Sequence, residues 1–225
     1  MWPSDADSLV TFQEQLAFAA PEPSAVDPST ATIGACWVCF PRGLTGPGTD
    51  HDPAWCAAVI MRGRQLRKQR VITGTTGAPY LPGLLALRLG RLIEGAVRSL
   101  SGRLDVLLLD ATARDHPRKS RAGTACRRRA RRAHHWGDAP AADCLGEWPS
   151  DQRGAMSPLR IGDSVVGCWL RTQPGVRPLA VHPGWRIDLA TAVEVVTSIT
   201  SRRRTPEPFR RARQLARRAR TQQGN

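Results

Sequence analysis

A carboxylate at the end of an apolar run is the clearest candidate for chemistry in this sequence. Residues 105–110 read DVLLLD, and Asp110 closes the run. A short run that is apolar throughout is typical of a strand buried on both faces. Ligands of open α/β sheets gather beyond the carboxyl ends of such strands, so we predict that Asp110 binds a metal ion. The alternative is an acid that only caps the following turn.

The positive charge is concentrated in two segments. The chain has 225 residues, with 33 Lys and Arg against 19 Asp and Glu, which gives a formal net charge of +14. Residues 118–132 hold eight basic residues and no acid, and residues 202–220 hold nine basic residues and one acid. The rest of the chain is therefore nearly neutral. Such clusters favour contact with a polyanion such as nucleic acid, the alternative being a solvated surface.

The cysteines favour a structural role. Cys36 and Cys39 form a CxxC within ATIGACWVCF, which predicts a buried strand. Residues three apart on a strand face opposite sides of the sheet, so these two thiols cannot clamp one ion. A zinc site also needs a second ligand pair at close spacing, which the sequence lacks. We interpret both as core cysteines, with zinc or redox function as the open alternative.

The periodicity predicts the elements that must position Asp110. We expect helices at 7–20, 84–100, 189–199 and 206–220, and strands at 32–40, 54–61, 69–73, 105–110, 164–172 and 177–182. Three strands, a helix, a strand and further alternation predict an α/β fold with a mixed sheet. No apolar run has membrane-spanning length, and the N-terminus lacks a basic region before an apolar stretch. We therefore expect a cytoplasmic protein, and a monomer.

Several segments together resemble the endonuclease V family. They are PYLPGLLALR, DVLLLDATARDHPR, GEWP, VVGCWLRT with RPLAVHPGWR, and RRRTPEPFRRARQLAR, between about Ile33 and Arg220. The resemblance implies a ribonuclease H-like mixed sheet flanked by helices. It also implies Mg²⁺-dependent nicking of DNA near deoxyinosine, as in DNA repair, with RNA as a further possible substrate. We expect an N-terminal helix and linker at 1–30, the nuclease domain at 31–200, and a basic helix and tail at 201–225.

The resemblance assigns roles to residues around the central strand. Asp110 matches a metal-binding aspartate, and His116, in DHPR, matches a catalytic histidine near the scissile phosphate. Metal ions held by carboxylates stabilise negative charge on the attacking and leaving oxygens of a phosphodiester. Mg²⁺ prefers such hard oxygen ligands to thiols. We further expect Arg118, Arg210 and Arg211 to contact phosphates of the nucleic acid.

A single tyrosine matches the family's DNA wedge. Tyr80 lies in Pro79-Tyr80-Leu81-Pro82, where the family carries an aromatic loop that is inserted beside the lesion base. Flanking prolines stiffen such a loop, and an aromatic ring replaces the stacking that is lost when a base is extruded. The alternative is a turn tyrosine that packs on the sheet.

Two of the family's carboxylates are missing. The first strand of the family carries an aspartate where this chain has Cys36 or Trp37, and the family motif FRE carries a glutamate where this chain has Leu89. A late GHR in the family reads GWR here, with His182 three residues before the tryptophan. Other acids that could substitute are Asp50, Asp52 and Glu94. One carboxylate binds Mg²⁺ weakly, so we expect an impaired nuclease, with a non-catalytic nucleic-acid-binding relative as the alternative.

The segment 119–146 reads like a different frame of its gene. Its basic sequence lacks the apolar helix and buried strand that the family has there. Residues 133–142 can be back-translated so that a shift of one nucleotide encodes PTIGVTHRP, and residues 127–132 then encode GAVLGV. We hypothesise two compensating frameshifts, near Lys119 and near 143–146. As written, the segment is expected to be misfolded or disordered and to lack a central strand.

Overall fold

The computed structural model describes residues 2–19, 21–111, 133–137 (backbone) and 145–223. Its helices and strands, in chain order, are α1 (Ala6–Phe18), β1 (Thr32–Cys39), β2 (Pro53–Arg62), β3 (Gln65–Thr75), α2 (Leu85–Arg98), β4 (Val106–Asp110), β5 (Ala133–Gly137), β6 (Met156–Ile161), β7 (Ser164–Leu170), β8 (Leu179–Trp185), α3 (Leu189–Ser198) and α4 (Glu207–Gln223). None of the helices in these ranges is both long enough and apolar enough to cross a membrane.

The strands form one mixed sheet. Their order is β3-β2-β1-β4-β5-β8-β7-β6. The pairs β1–β4 and β4–β5 are parallel, and all other neighbours are antiparallel. The predicted α/β fold, with a mixed sheet flanked by helices, is therefore confirmed. The parallel strands stand at the centre, so Asp110 ends a strand that has a neighbour on each side.

The start of β1 is tied to the start of β4. The Asp105 carboxylate accepts hydrogen bonds from the Thr32 backbone N–H at 2.9 Å and from the Thr32 hydroxyl at 2.8 Å. The Arg103 side chain donates to the same carboxylate at 2.9 Å. These contacts hold the pKa of Asp105 below its usual value, despite the opposing effect of burial, which is the largest single influence. They fix the register of β1 against β4, and with it the position of the candidate site.

Alternation along the strands divides the core into two layers. Ile33, Ala35 and Leu108 belong to the cluster that also contains side chains of α3 and α4, such as Phe209. Cys36, Leu107 and Leu109 belong to the cluster on the other face, with α1 and α2. Burying one such leucine contributes about 1.5–3 kcal/mol, so both helical layers stabilise the sheet substantially. Neighbouring residues of β1 and β4 consequently point to different layers.

The prediction that segment 119–146 lacks a central strand is wrong. Residues Ala133–Gly137 form β5, which pairs with β4 on one side and with β8 on the other. The reason is that sheet pairing uses backbone N–H and C=O groups, which every residue except proline supplies. The edges of β4 and β8 offer those groups whatever side chains the inserted strand carries. The remainder of the segment, apart from 145 and 146, lies outside the described residues.

Candidate functional site

The candidate metal ligand lies where the sequence places it. Asp110 is the last residue of β4, and its side chain is exposed whereas the four preceding residues are buried. The register between β1 and β4 pairs Ala35 with Leu108. When this register is continued two residues beyond the paired segment, it places Trp37 beside Asp110. Registered neighbours on parallel strands face the same side of a sheet, and Trp37 indeed packs against the cluster that contains Leu108.

The place beside Asp110 is filled by an aromatic and a cationic side chain. The Trp37 ring lies edge-on to Phe209, with centroids 6.4 Å apart and an interplanar angle of 85°. The Arg213 guanidinium carbon lies 5.5 Å from the centroid of the Trp37 ring. Cys36 is buried on the opposite face. Of the two residues that the sequence left open, Trp37 therefore occupies the position next to Asp110.

The three acids proposed as replacements have other surroundings. Asp52 is buried and forms an ion pair with Arg88 at 2.7 Å. The hydrogen bond from Arg88, followed by those from Thr49, lowers the pKa of Asp52 to about 2. Glu94 accepts a hydrogen bond from the indole N–H of Trp2 and pairs with Arg98 at 2.9 Å. Asp50 is exposed, 3.7 Å from the imidazole of its neighbour in sequence.

Arg88 joins the loop of residues 41–52 to the loop that carries the candidate wedge. Its guanidinium donates to the Asp52 carboxylate, to the Thr49 carbonyl at 2.9 Å and to the Ala78 carbonyl at 2.6 Å. The Tyr80 backbone N–H in turn donates to the Pro47 carbonyl at 2.8 Å. Sequence reasoning missed this function of Arg88. The available signal was a single arginine among apolar residues in LALRLG, because a buried arginine requires a carboxylate partner.

The candidate wedge residue is exposed at the surface. Tyr80 is 47% exposed and Leu81 is 48% exposed, and the flanking Pro79 and Pro82 are exposed as well. The loop is nevertheless anchored at both ends. Ala78 is held by Arg88, and the Gln13 side chain donates to the Gly83 carbonyl at 3.0 Å. Anchoring at both ends lowers the entropic cost of stacking an exposed aromatic tip against a base.

Three comparisons place the chain among known proteins. It matches the family model of Endonuclease V over residues 30–128 and 142–214. Endonuclease V of Roseiflexus castenholzii is 32% identical over 227 residues, which cover 96% of this chain and 93% of that protein. The chain belongs to the endonuclease V family. This family is one of metal-dependent nucleases.

Solved structures agree with the family assignment. Endonuclease V from Streptomyces avermitilis superposes with a TM-score of 0.88 at 27% identity, over 100% of this chain and 96% of that one. Endonuclease V from Ciona intestinalis, in complex with a 23mer DNA containing an inosine followed by a ribo-adenosine, has a TM-score of 0.80 at 17% identity. Those alignments cover 97% of this chain and 99% of that one, and they show a shared fold.

The described residues do not fit a magnesium site with several carboxylates. At the end of β4, Asp110 supplies one carboxylate and the neighbouring Trp37 supplies none. Leu89 packs in the apolar layer of α2. Within the described ranges, no group of three or more His, Cys, Asp or Glu side chains is arranged to hold a metal ion. A family site of that kind needs converging oxygen ligands, which the described residues do not supply.

His182, the histidine nearest to the GWR motif, lies in the core of the protein. His182 on β8 is fully buried, and its Nδ1 lies 3.0 Å from the Val166 carbonyl oxygen. Gly167 lies directly against the ring, since a Cβ there would come within 2.6 Å of Nδ1. Val181 belongs to the same layer as Leu108, so the next residue along β8 points to the opposite face from Asp110.

The cysteine pair behaves as predicted. Cys36 and Cys39 are both buried and unbridged, and they belong to different clusters. Burial raises the pKa of Cys39, although nearby arginines such as Arg220 oppose the shift. A thiol with a raised pKa is a poor nucleophile and a poor metal ligand near neutral pH. The interpretation as core cysteines is therefore supported.

The other predicted contact residues have different outcomes. His116 and Arg118 lie outside the described residues. Arg210 forms two hydrogen bonds with the Glu207 carboxylate, at 2.6 and 2.7 Å, and Arg211 forms a third at 2.9 Å. These contacts, led by the bond from Arg210, lower the pKa of Glu207, so this acid is ionised at neutral pH. Contact of Arg210 and Arg211 with phosphates stays a prediction.

Proposed function

We propose that this protein acts on DNA containing deoxyinosine as an endonuclease V-like nuclease in DNA repair. The observation that carries the proposal is the anchored loop with the exposed Tyr80 at its tip. An aromatic side chain in that position can fill the gap left by an extruded base. The relative from Ciona intestinalis, whose fold this chain shares, has been solved with inosine-containing DNA.

The proposal extends to the ion and its ligand. Mg²⁺ is commonly bound by one or two carboxylates together with substrate phosphates and water, so a single carboxylate can hold it only when the substrate is present. Asp110 is exposed at the end of β4 and is the residue we propose for this role. Because Trp37 and Leu89 supply no oxygen ligand, we expect affinity for the ion, and therefore the cleavage rate, to be low.

Cleavage is tested with a labelled duplex that carries one deoxyinosine. The protein is incubated with this duplex, and with the same duplex without the inosine, in a series of Mg²⁺ concentrations and in EDTA. We expect a nick only in the inosine duplex, at high Mg²⁺, and none with Asp110→Ala. A nick that persists with Asp110→Ala would refute Asp110 as the ligand, and identical treatment of both duplexes would refute inosine recognition.

A second candidate function is recognition without cleavage. It is favoured by Trp37, because an aromatic ring packed against Phe209 stands where the family has a metal-binding aspartate. A protein of this kind binds the inosine duplex with a strong salt dependence and leaves it intact at every Mg²⁺ concentration. Binding measured beside the nicking assay separates the two functions, since Tyr80→Ala weakens binding in both cases whereas Asp110→Ala matters only for cleavage.

A further inference from the structure

A cleft lined by arginines lies outside the proposed site. It has a volume of about 700 Å³ and is bounded by the turn between β2 and β3, the end of α3, and the segment that leads into α4. Six arginines line it: Arg64, Arg153, Arg202, Arg203, Arg210 and Arg211. Among the described residues that line it, Glu207 is the single acid. A concave surface with this excess of positive charge attracts anions strongly.

Three of these arginines are free to bind a ligand. The side chains of Arg64, Arg202 and Arg203 are exposed and form no hydrogen bond or ion pair within the part of the chain that the structure describes. Arg153, by contrast, donates to the carbonyls of Thr200 and Ser201 and so fixes one wall of the cleft. The cleft therefore combines a fixed wall with free guanidinium groups.

The remaining two arginines are held by a carboxylate in the position of an anionic ligand. Glu207 accepts from Arg210 through both of its oxygens and from Arg211 through one. Guanidinium groups bind phosphate with the same two-pronged geometry as carboxylate. Glu207 thus occupies a phosphate-like position inside the cleft, and an incoming phosphate would compete with it for Arg210 and Arg211.

The lining favours phosphate groups over a complete nucleotide. No aromatic ring is among the described lining residues, and Ile199 is the single large apolar side chain there. A base needs a stacking surface or a pocket, whereas backbone phosphates need only cations. Several guanidinium groups side by side suit the regularly spaced phosphates of a nucleic acid strand.

One wall of the cleft is well separated from the candidate site along the sheet. Arg64 follows Arg62, which pairs with Thr32 at the start of β1. Trp37, beside Asp110, lies five residues further along that strand, a distance of about 16 Å at ~3.3 Å per residue. This separation corresponds to about five base pairs at ~3.4 Å each.

We propose that this cleft binds the phosphate backbone of DNA about five or more base pairs from the inosine, and that Glu207 restrains the binding. The proposal rests on the proposed function, because it requires that the protein binds DNA. The expected effect does not depend on the sequence of the DNA: the cleft lowers Kd for duplexes with inosine and without inosine by the same factor. Substitution of a free arginine and substitution of Glu207 should change that affinity in opposite directions.

The test measures Kd for a 30-base-pair duplex, with and without a central inosine, across a series of salt concentrations in EDTA. We expect Arg202→Gln/Arg203→Gln to weaken binding of both duplexes equally and to reduce the salt slope by about two. Glu207→Gln should tighten binding and steepen the slope. Arg160→Gln is the control, because Arg160 is also exposed but lies on β6, at the other edge of the sheet, and it should change neither quantity.

The phosphates themselves can be located by neutralising them one at a time as methylphosphonates. The Kd of the unmodified protein should increase when phosphates about five or more base pairs from the inosine are neutralised. The Kd of Arg202→Gln/Arg203→Gln should not change with the same modifications. The proposal is overturned if this variant behaves like Arg160→Gln, or if Glu207→Gln weakens binding. Failure of the proposed function looks different, because the unmodified protein then binds both duplexes with the same Kd.

Discussion

Restoring a carboxylate at Trp37 should increase cleavage by this protein. The register places Trp37 beside Asp110 on the adjacent strand and on the same face of the sheet. A carboxylate there would bring a second oxygen ligand within one strand spacing, about 4.8 Å, of the first. We therefore predict that Trp37→Asp lowers the Mg²⁺ concentration needed for nicking inosine-containing DNA.

The size of the gain follows from electrostatics. Two unit charges about 4 Å apart attract by about 1 kcal/mol in water, so a carboxylate and a divalent cation attract by about 2 kcal/mol. At ~1.4 kcal/mol per factor of ten, this corresponds to about 30-fold tighter binding of the ion. The nearby Arg213 reduces the gain, because its guanidinium also attracts the new carboxylate. We expect Trp37→Asp to bind Mg²⁺ about 10- to 30-fold more tightly than the unmodified protein.

The same substitution has a cost in stability. Replacing a fully buried Trp by Ala costs about 3–5 kcal/mol, and Trp37 is mostly buried, so most of that cost applies. Loss of the contact with Arg213 adds about 0.5–1 kcal/mol. The total, about 3–5 kcal/mol, is at or below the lower end of the typical free energy of unfolding of ~5–15 kcal/mol. The variant should remain folded, with a lower urea midpoint.

The assay compares three variants by Mg²⁺ titration of nicking, with urea unfolding monitored by circular dichroism. Trp37→Asn is the matched control, because it loses the same ring but gains no charge, and it should be destabilised without any gain in nicking. Cys36→Asp tests the register, since it places the acid in the opposite layer, where it should destabilise the fold and give no activity. If Trp37→Asp is folded and no more active than Trp37→Asn, the reasoning from register is refuted.

Three further predictions concern the wedge, an ion pair and the core. Tyr80→Ala should reduce the preference in Kd for inosine DNA by about 5- to 150-fold, since one stacked base contributes about 1–3 kcal/mol, whereas Tyr80→Phe should retain it. Folding lowers the pKa of Asp52 from 3.8 to about 2, so ionised Asp52 stabilises the protein above pH ~4. The urea midpoint should therefore decrease between pH ~4 and pH ~2. In Asp52→Asn, which has no carboxylate to protonate, the contribution of this residue to that decrease should be absent. Leu108→Ala should lower the free energy of unfolding by about 2–5 kcal/mol, measured by urea denaturation, and an unchanged midpoint would contradict its placement in the core.

The strands that sequence reasoning located well are those with a buried face. β1 and β2 differ from their predicted ranges by one residue at each end at most, because their apolar residues mark them directly. The edge strands were harder to locate. β3 begins four residues before its predicted start, in QLRKQ, and β6 was missed. Both strands are largely exposed, so their sequences carry charged and polar residues and give a weak periodic signal.

The position of Asp110 at the end of a buried strand was predictable from the sequence, whereas its surroundings were not. Asp110 followed from the apolar run before it, since a strand end is a local feature of the sequence. The choice between Cys36 and Trp37 required the register of β1 against β4, which is a property of two segments about 70 residues apart. The contact between Arg88 and Asp52 likewise joins residues far apart in sequence. Sequence patterns give residue types and periods, whereas partners across a sheet depend on the fold.

The position of strand β5 in the sheet can be compared with its sequence. Its place between β4 and β8 calls for apolar residues, because a central strand is covered by a layer of the core on each face. The chain supplies AHHWG there, whereas one choice of codons for these five residues, shifted by one nucleotide, encodes PTIGV. The fold thus has a central strand at the position where that choice of codons gives an apolar sequence. We predict that the gene, sequenced across residues 115–150, encodes an apolar stretch in the shifted frame. If that frame is polar or interrupted by a stop codon, the frameshift hypothesis is wrong and AHHWG is the natural strand.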